Sequence, residues 1–210
     1  MSRLIIWRHG NTDWNAANRV QGQTDVPLND LGRQQAVDAA DMLVRLRPDV
    51  IVSSDLRRAS DTAAALAALT GVPVRHDDRL RERFFGQWQG LTMAEVKESR
   101  FAEWTRWRAG EAAIGGGVES LDDLGKRIAE ALQAAADLVP ADGTAVVATH
   151  GAAARQGVGH LLGWPAEVMR TLRALQNCHW VELTHDSGRG WQVAAYNVGP
   201  VSDKPVPPPV

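Results

Sequence analysis

A chain of 210 residues has room for one large domain, or for one domain carrying an insertion, and little for two. Apolar residues make up 44% and charged residues 23%, an ordinary globular balance that excludes wholesale disorder and a fibrous repeat. With 23 basic against 25 acidic side chains the net charge is −2, and no stretch gathers Lys and Arg as a nucleic-acid-binding face would, so no nucleic acid is expected as a partner.

From the N-terminus, Leu4 to Trp7 is a continuous apolar run, the pattern of a strand buried on both faces. It is too short for a signal core or a membrane span, and no membrane partner is expected. Ala36, Val37, Ala40, Leu43 and Val44 fall on one face of a helix, Val50 to Val52 forms a second strand, and Leu56, Ala59, Ala63 and Leu66 mark a second helix. Val72 to Val74 is a third short run. Residues 84 to 118 break this rhythm with Phe84, Phe85, Trp88, Phe101, Trp104 and Trp107 ahead of Gly115-Gly116-Gly117, and they read as a lid insertion over one end of the sheet. Within the lid, Met93, Val96, Trp104 and Trp107 fit a helical stripe expected to bury against the sheet. The three glycines, with no strand before them, fit a lid hinge better than a phosphate cradle. Leu121, Leu124, Ile128 and Leu132 line a third helix, started by Ser120 with Asp123 as a weak capping box. Ala145 to Ala148, Val181 to Leu183 and Val193 to Ala195 complete the strands. From Gly199 the tail carries five of the ten prolines, and residues 199–210 are expected to be disordered or extended.

Strands alternating with helices predict an α/β fold: a three-layer α/β/α sandwich with a mostly parallel central sheet and a helical lid insertion, in one domain over residues 1–198. Cys178 is the only cysteine, which excludes an intramolecular disulfide and every zinc pattern built on paired cysteines. A lone thiol suits a reducing compartment, so the expected location is the cytoplasm.

Ligands of an open parallel sheet bind beyond the carboxyl ends of its strands. The residues at those ends are Arg8-His9-Gly10, Ser53-Ser54-Asp55-Leu56-Arg57-Arg58, the stretch Leu80 to Glu82, and Thr149-His150-Gly151. Two histidines, two arginines and a carboxylate on one rim suit phosphoryl transfer, in which charge on three equatorial oxygens must be met and nucleophile and leaving group held in line. Arg8 and Arg58 can fork onto phosphate oxygens, a neutral His9 can attack phosphorus, and a protonated His150 can add charge. Glu82, held neutral beside a bound dianion, can protonate the leaving alcohol and later take a proton from water. Gly151, opening a helix, offers amide groups as a further anion site.

These residues resemble a known family. Leu4 to Asn15 is similar to the signature of the histidine phosphatase superfamily, which includes the cofactor-dependent phosphoglycerate mutases. Gln21-Gly22-Gln23-Thr24-Asp25-Val26-Pro27-Leu28, Ser53 to Ala59, Leu80-Arg81-Glu82 with Phe85 to Gly90, and Thr149-His150-Gly151 follow in family order. The resemblance covers residues 4 to 198. It implies that His9 is the phosphorylated nucleophile, that Arg8, Arg58 and His150 form the phosphate pocket, that Glu82 is the proton donor, and that Asn15, Gln21 and Gly22 line the pocket. Asn11 and Asp13 depart from the usual pattern at positions expected beside the phosphate, where they would tune substrate choice. Gly86-Gln87-Trp88-Gln89-Gly90 and the short lid resemble the phosphatase branch, and within it the actinobacterial relatives that hydrolyse glucosyl-3-phosphoglycerate.

An Arg-His-Gly tripeptide alone is a weak signal; a second His-Gly after another buried strand, with Arg58 and Glu82, makes it specific. His76, His160, His179 and His185 lack partners at ligand spacing, and no metal site or cofactor is expected. The expected activity is metal-independent hydrolysis of small phosphomonoesters, with a small phosphorylated substrate as partner and a homo-oligomer left open. A phosphoglycerate mutase is the alternative with the same intermediate. A non-catalytic phospholigand-binding module is disfavoured, because a binder has no need of a proton donor.

Overall fold

Apolar runs without polar alternation become the inner strands because both of their faces are covered. In the computed structural model, which describes residues 2–200, β1 (Arg3–Arg8) sends Leu4 and Ile6 into one core and Ile5 and Trp7 into the other. The first core is closed by α6 (Leu121–Ala136) and α7 (Gly151–Leu161), the second by α2 (Asp30–Leu43) and α3 (Arg57–Thr70). The chain is thus an α/β protein of three layers. The remaining helices are α1 (Asp13–Ala16), α4 (Met93–Ser99), α5 (Phe101–Arg108) and α8 (Ala166–Thr171).

The sheet order is β3-β2-β4-β1-β5-β6. β1, β4 (Thr144–Thr149), β2 (Val50–Ser53) and β3 (Val74–His76) run parallel, whereas β5 (Trp180–Asp186) lies antiparallel to β1 and β6 (Gly190–Val198) antiparallel to β5. Reversal at β5 has a consequence for the site. Trp180 stands opposite Trp7, so the loop entering β5 reaches the same rim as the carboxyl ends of β1, β2 and β4.

Three local expectations are corrected. The third strand starts at Val74 and not Val72, because Pro73 has no N–H for the ladder. Val37 is 47% exposed, since Ala39 and Ala40 complete the buried face that Ala36 begins. The lid stripe does not pack on the sheet. It is split at Arg100 into α4 and α5, and Val96, Met93, Trp104 and Trp107 join Trp88 and Ile114 in a separate small core. Ser120 caps α6 as expected, accepting from Asp123 N at 3.0 Å. The proline-rich stretch from residue 201 lies outside the described residues. Among those described, no helix is long and apolar enough to cross a membrane.

Candidate active site

His9 follows β1 and is 3% exposed; His150 and Arg58 are fully buried. His9 Nδ1 lies 2.7 Å from the Gly10 carbonyl, which can only accept. The ring proton therefore sits on Nδ1, and Nε2 keeps a free lone pair. Burial, then Arg58 and Arg8, hold the imidazole well below the usual histidine range, so it is neutral. The ring centroid of His150 is 5.2 Å from that of His9.

Arg58 opens the first turn of α3 and is anchored by three acceptors. Its Nε donates to His150 Nδ1 at 3.2 Å, Nη1 to the Thr24 carbonyl at 2.8 Å and Nη2 to the Gly22 carbonyl at 2.7 Å. A guanidinium has five N–H donors, so two remain for a ligand. Burial brings this guanidinium down to about 10, against the pull of Glu82 and Asp25. Gly22 has φ +54°, and a Cβ there would meet the Gln89 side chain at 2.2 Å, so only glycine presents this carbonyl.

The bond from Arg58 corrects the expectation of a protonated His150. Nδ1 accepts, so the ring proton is on Nε2, which donates to Ser54 Oγ at 2.9 Å. Burial and then the charge of Arg58 keep this ring neutral as well. Both histidines would bind protons near 6.5 once unfolded. Below that pH the unfolded chain takes up protons that the folded chain refuses, so stability falls with pH. The melting temperature is expected to drop as the pH is lowered below about 6.5, and the double variant His9→Asn, His150→Asn to flatten that slope. An unchanged slope would assign the acid sensitivity to other groups.

Arg8 reaches the Leu175 carbonyl through Nη1, while its buried Nε has no partner among the described residues. A Cβ built on Gly151 would be 3.5 Å from that Nε. An orphaned cationic donor at the rim calls for an anion.

Glu82 is where the first turn of α7 finds its partner. Ala152 N donates to Oε2 at 3.1 Å, Ala153 N to Oε1 at 3.0 Å, and Arg83 N to Oε1 at 2.8 Å. Two of the amides expected as an anion site after Gly151 are thus held by a carboxylate of the chain itself. Arg127 fixes the loop that carries Glu82, donating to the carbonyls of Arg79 and Arg81 at 2.6 Å and of Glu82 at 2.9 Å while paired with Glu119.

Asn15 and Gln21 stand side by side. The Thr12 hydroxyl is 3.1 Å from Asn15 Oδ1 and from Gln21 Oε1, and Asn177 Nδ2 donates to Asn15 Oδ1 at 3.4 Å and to the His9 carbonyl at 3.0 Å. Asn11 and Asp13 instead hold the side chain of Asn29, the N-cap of α2, at 2.9 and 3.2 Å. Gly115, Gly116 and Gly117 all have positive φ and form a turn that accepts from Gln87 N, and so are no cradle. His76 and His160 bond to Ser60 and Asp122, and neither bonds to His9, Arg58, Glu82 or His150. Sequence reasoning placed Ser54 at the rim without its role as partner of His150, and missed Asn177, the Leu175 carbonyl, and Thr62, whose hydroxyl accepts from Gly10 N at 3.0 Å.

Comparison with known proteins adds three findings. The model of the Histidine phosphatase superfamily (branch 1) matches residues 4–199. Over 187 residues the chain is 41% identical to the glucosyl-3-phosphoglycerate phosphatase of Mycolicibacterium vanbaalenii, covering 86% of this chain and 83% of that one; over 181 residues it is 35% identical to a probable phosphoglycerate mutase of Escherichia coli, covering 85% and 82%. The solved structure of a mycobacterial glucosyl-3-phosphoglycerate phosphatase with VO3 superposes at a TM-score of 0.87 and 37% identity, covering 94% of this chain and 99% of that chain.

Proposed function

The chain belongs to the histidine phosphatase superfamily and is a phosphatase of it, and from that premise we propose that it hydrolyses glucosyl-3-phosphoglycerate or a closely related phosphoglycerate ester through phospho-His9. The observation that carries this is the His9 tautomer: the Gly10 carbonyl takes Nδ1–H and leaves Nε2 as a nucleophile among Arg8, Arg58 and His150.

In the first step the His9 Nε2 lone pair forms a bond to phosphorus as the ester P–O bond breaks, and the leaving oxygen takes a proton from Glu82. Oε2 of Glu82 accepts one amide where Oε1 accepts two, so Oε2 has room for that proton. In the second step water attacks phosphorus, gives a proton to Glu82, and the P–N bond breaks to release phosphate and neutral His9. The two spare donors of Arg58 and the orphaned Nε of Arg8 meet the equatorial oxygens. Asn15 and Gln21, whose side chains both lie beside Thr12, are assigned in this reading to offer amide N–H groups to the same anion. Residues 84–118 act as the lid over the alcohol half. The single thiol and the small anionic substrate suit a cytoplasmic enzyme with neither nucleic acid nor membrane as partner.

Phosphate release from glucosyl-3-phosphoglycerate is the test, run with and without 2,3-bisphosphoglycerate and with excess EDTA. Release that needs no bisphosphate is expected. Turnover is also expected to survive EDTA, because arginines supply the positive charge. Isomerisation of 3-phosphoglycerate dependent on bisphosphate would favour a mutase, and loss of turnover on chelation, restored by Mg²⁺ or Zn²⁺, would refute the charge assignment.

A further inference from the structure

One turn along α7 from the amides that hold Glu82, Arg155 lines a cleft of about 230 Å³ together with Arg83, Trp107, Arg108, Glu111 and Arg170. Four guanidinium groups face one carboxylate. None of the four forms an ion pair among the described residues: Arg83 donates to the carbonyls of Glu119 and Ala112, and Arg170 to that of Gly110. Arg155 Nε is buried and has no hydrogen-bond partner. Burial lowers the Arg83 guanidinium to about 10, and Arg155 pushes in the same direction, against Glu82 and Glu119.

A buried guanidinium donor left without a partner, in a cleft where three further arginines gather without an ion pair, favours a bound anion. Position suggests which anion. The Arg83 guanidinium feels the charges of both Glu82 and Arg155, and Arg155 lies one turn beyond the amides that bind Glu82, so the cleft adjoins the residue assigned to protonate the leaving oxygen. The phosphate itself belongs to Arg8 and Arg58. We infer that the arginine cleft is a subsite for a carboxylate on the alcohol half of the substrate, with Arg155 as its principal donor and Arg83, Arg108 and Arg170 as the surrounding charge. Trp107 supplies the apolar wall beside it. This deepens the phosphatase reading and rests on it.

The test compares 3-phosphoglycerate, which carries the carboxylate, with glycerol 3-phosphate, which lacks it. In Arg155→Gln, kcat/KM for the acid is expected to fall about 10- to 100-fold relative to that for glycerol 3-phosphate, the range of a lost charge-assisted hydrogen bond. Turnover of p-nitrophenyl phosphate should be unchanged, which also reports an intact fold. Arg155→Lys should recover part of the preference, since it restores charge without the fork. Should Arg155→Gln fail to fold, the exposed pair Arg108→Gln, Arg170→Gln should reduce the same ratio. Equal losses for both esters, or no change in their ratio, would overturn the subsite. If the wild type hydrolyses no phosphomonoester the phosphatase reading fails, and the subsite is then judged separately by calorimetry on His9→Ala protein. There the acid should bind about 10- to 100-fold more weakly when Arg155 is Gln, and glycerol 3-phosphate equally well; any other pattern overturns the subsite.

Discussion

His9→Ala is expected to lower kcat by a factor on the order of 10⁴ or more, leaving only what positioning and electrostatics provide without a nucleophile. The reasoning is geometric. Among the rim side chains, His9 combines a neutral imidazole with a lone pair turned away from its internal hydrogen bond. His150 cannot replace it, because its Nδ1 accepts from Arg58 and its Nε2 donates to Ser54. Ser54 cannot either, since its hydroxyl is engaged by His150 and by Leu56 N at 3.3 Å. Wild-type enzyme quenched in mid-turnover should therefore carry a phosphoryl group on His9 that is labile in acid and stable in base. A label on serine, or near-normal turnover in the alanine variant, would place the nucleophile elsewhere. The variant should fold, since the His9 carbonyl, which holds Asn177 Nδ2, is retained.

The rim was legible in the sequence because a parallel strand announces itself as a short apolar run and its ligand-facing residues come next. Arg8, His9, Arg58 and His150 were found that way, and the structure brings them together. Asn177 and the Leu175 carbonyl were not found, because they precede a strand. They reach the rim only through the antiparallel direction of β5, which no local pattern encodes. The state of His150 was misjudged for a related reason. Its proton depends on Arg58 and Ser54, distant by 92 and 96 residues in sequence, and burial decides the rest. The lid stripe was visible as a period but not as a destination. Periodicity shows that a face is apolar, and whether the sheet or Trp88 and Ile114 cover it depends on the helix break at Arg100.

Glu82→Gln should separate proton transfer from phosphoryl transfer. The amide keeps the size of the side chain, and its oxygen can still accept from Arg83 N and Ala153 N, but its NH₂ then faces the Ala152 N–H, donor against donor. One hydrogen bond and the charge at the N-terminus of α7 are lost, a cost of about 1–2 kcal/mol in stability. That cost is common to all substrates. What differs is the leaving group: alkyl phosphates must have the departing oxygen protonated and should slow by about 10²- to 10⁴-fold, whereas p-nitrophenyl phosphate needs little protonation and should slow far less. The comparison belongs on kcat/KM, which reports the first half-reaction and excludes the help Glu82 gives to water in the second. Equal losses for alkyl and aryl esters would reduce Glu82 to a cap for α7. Asp13, the carboxylate beside the His9 loop, is exposed and bonded by Asn29, so the donor would then have to come from the bound substrate or its water.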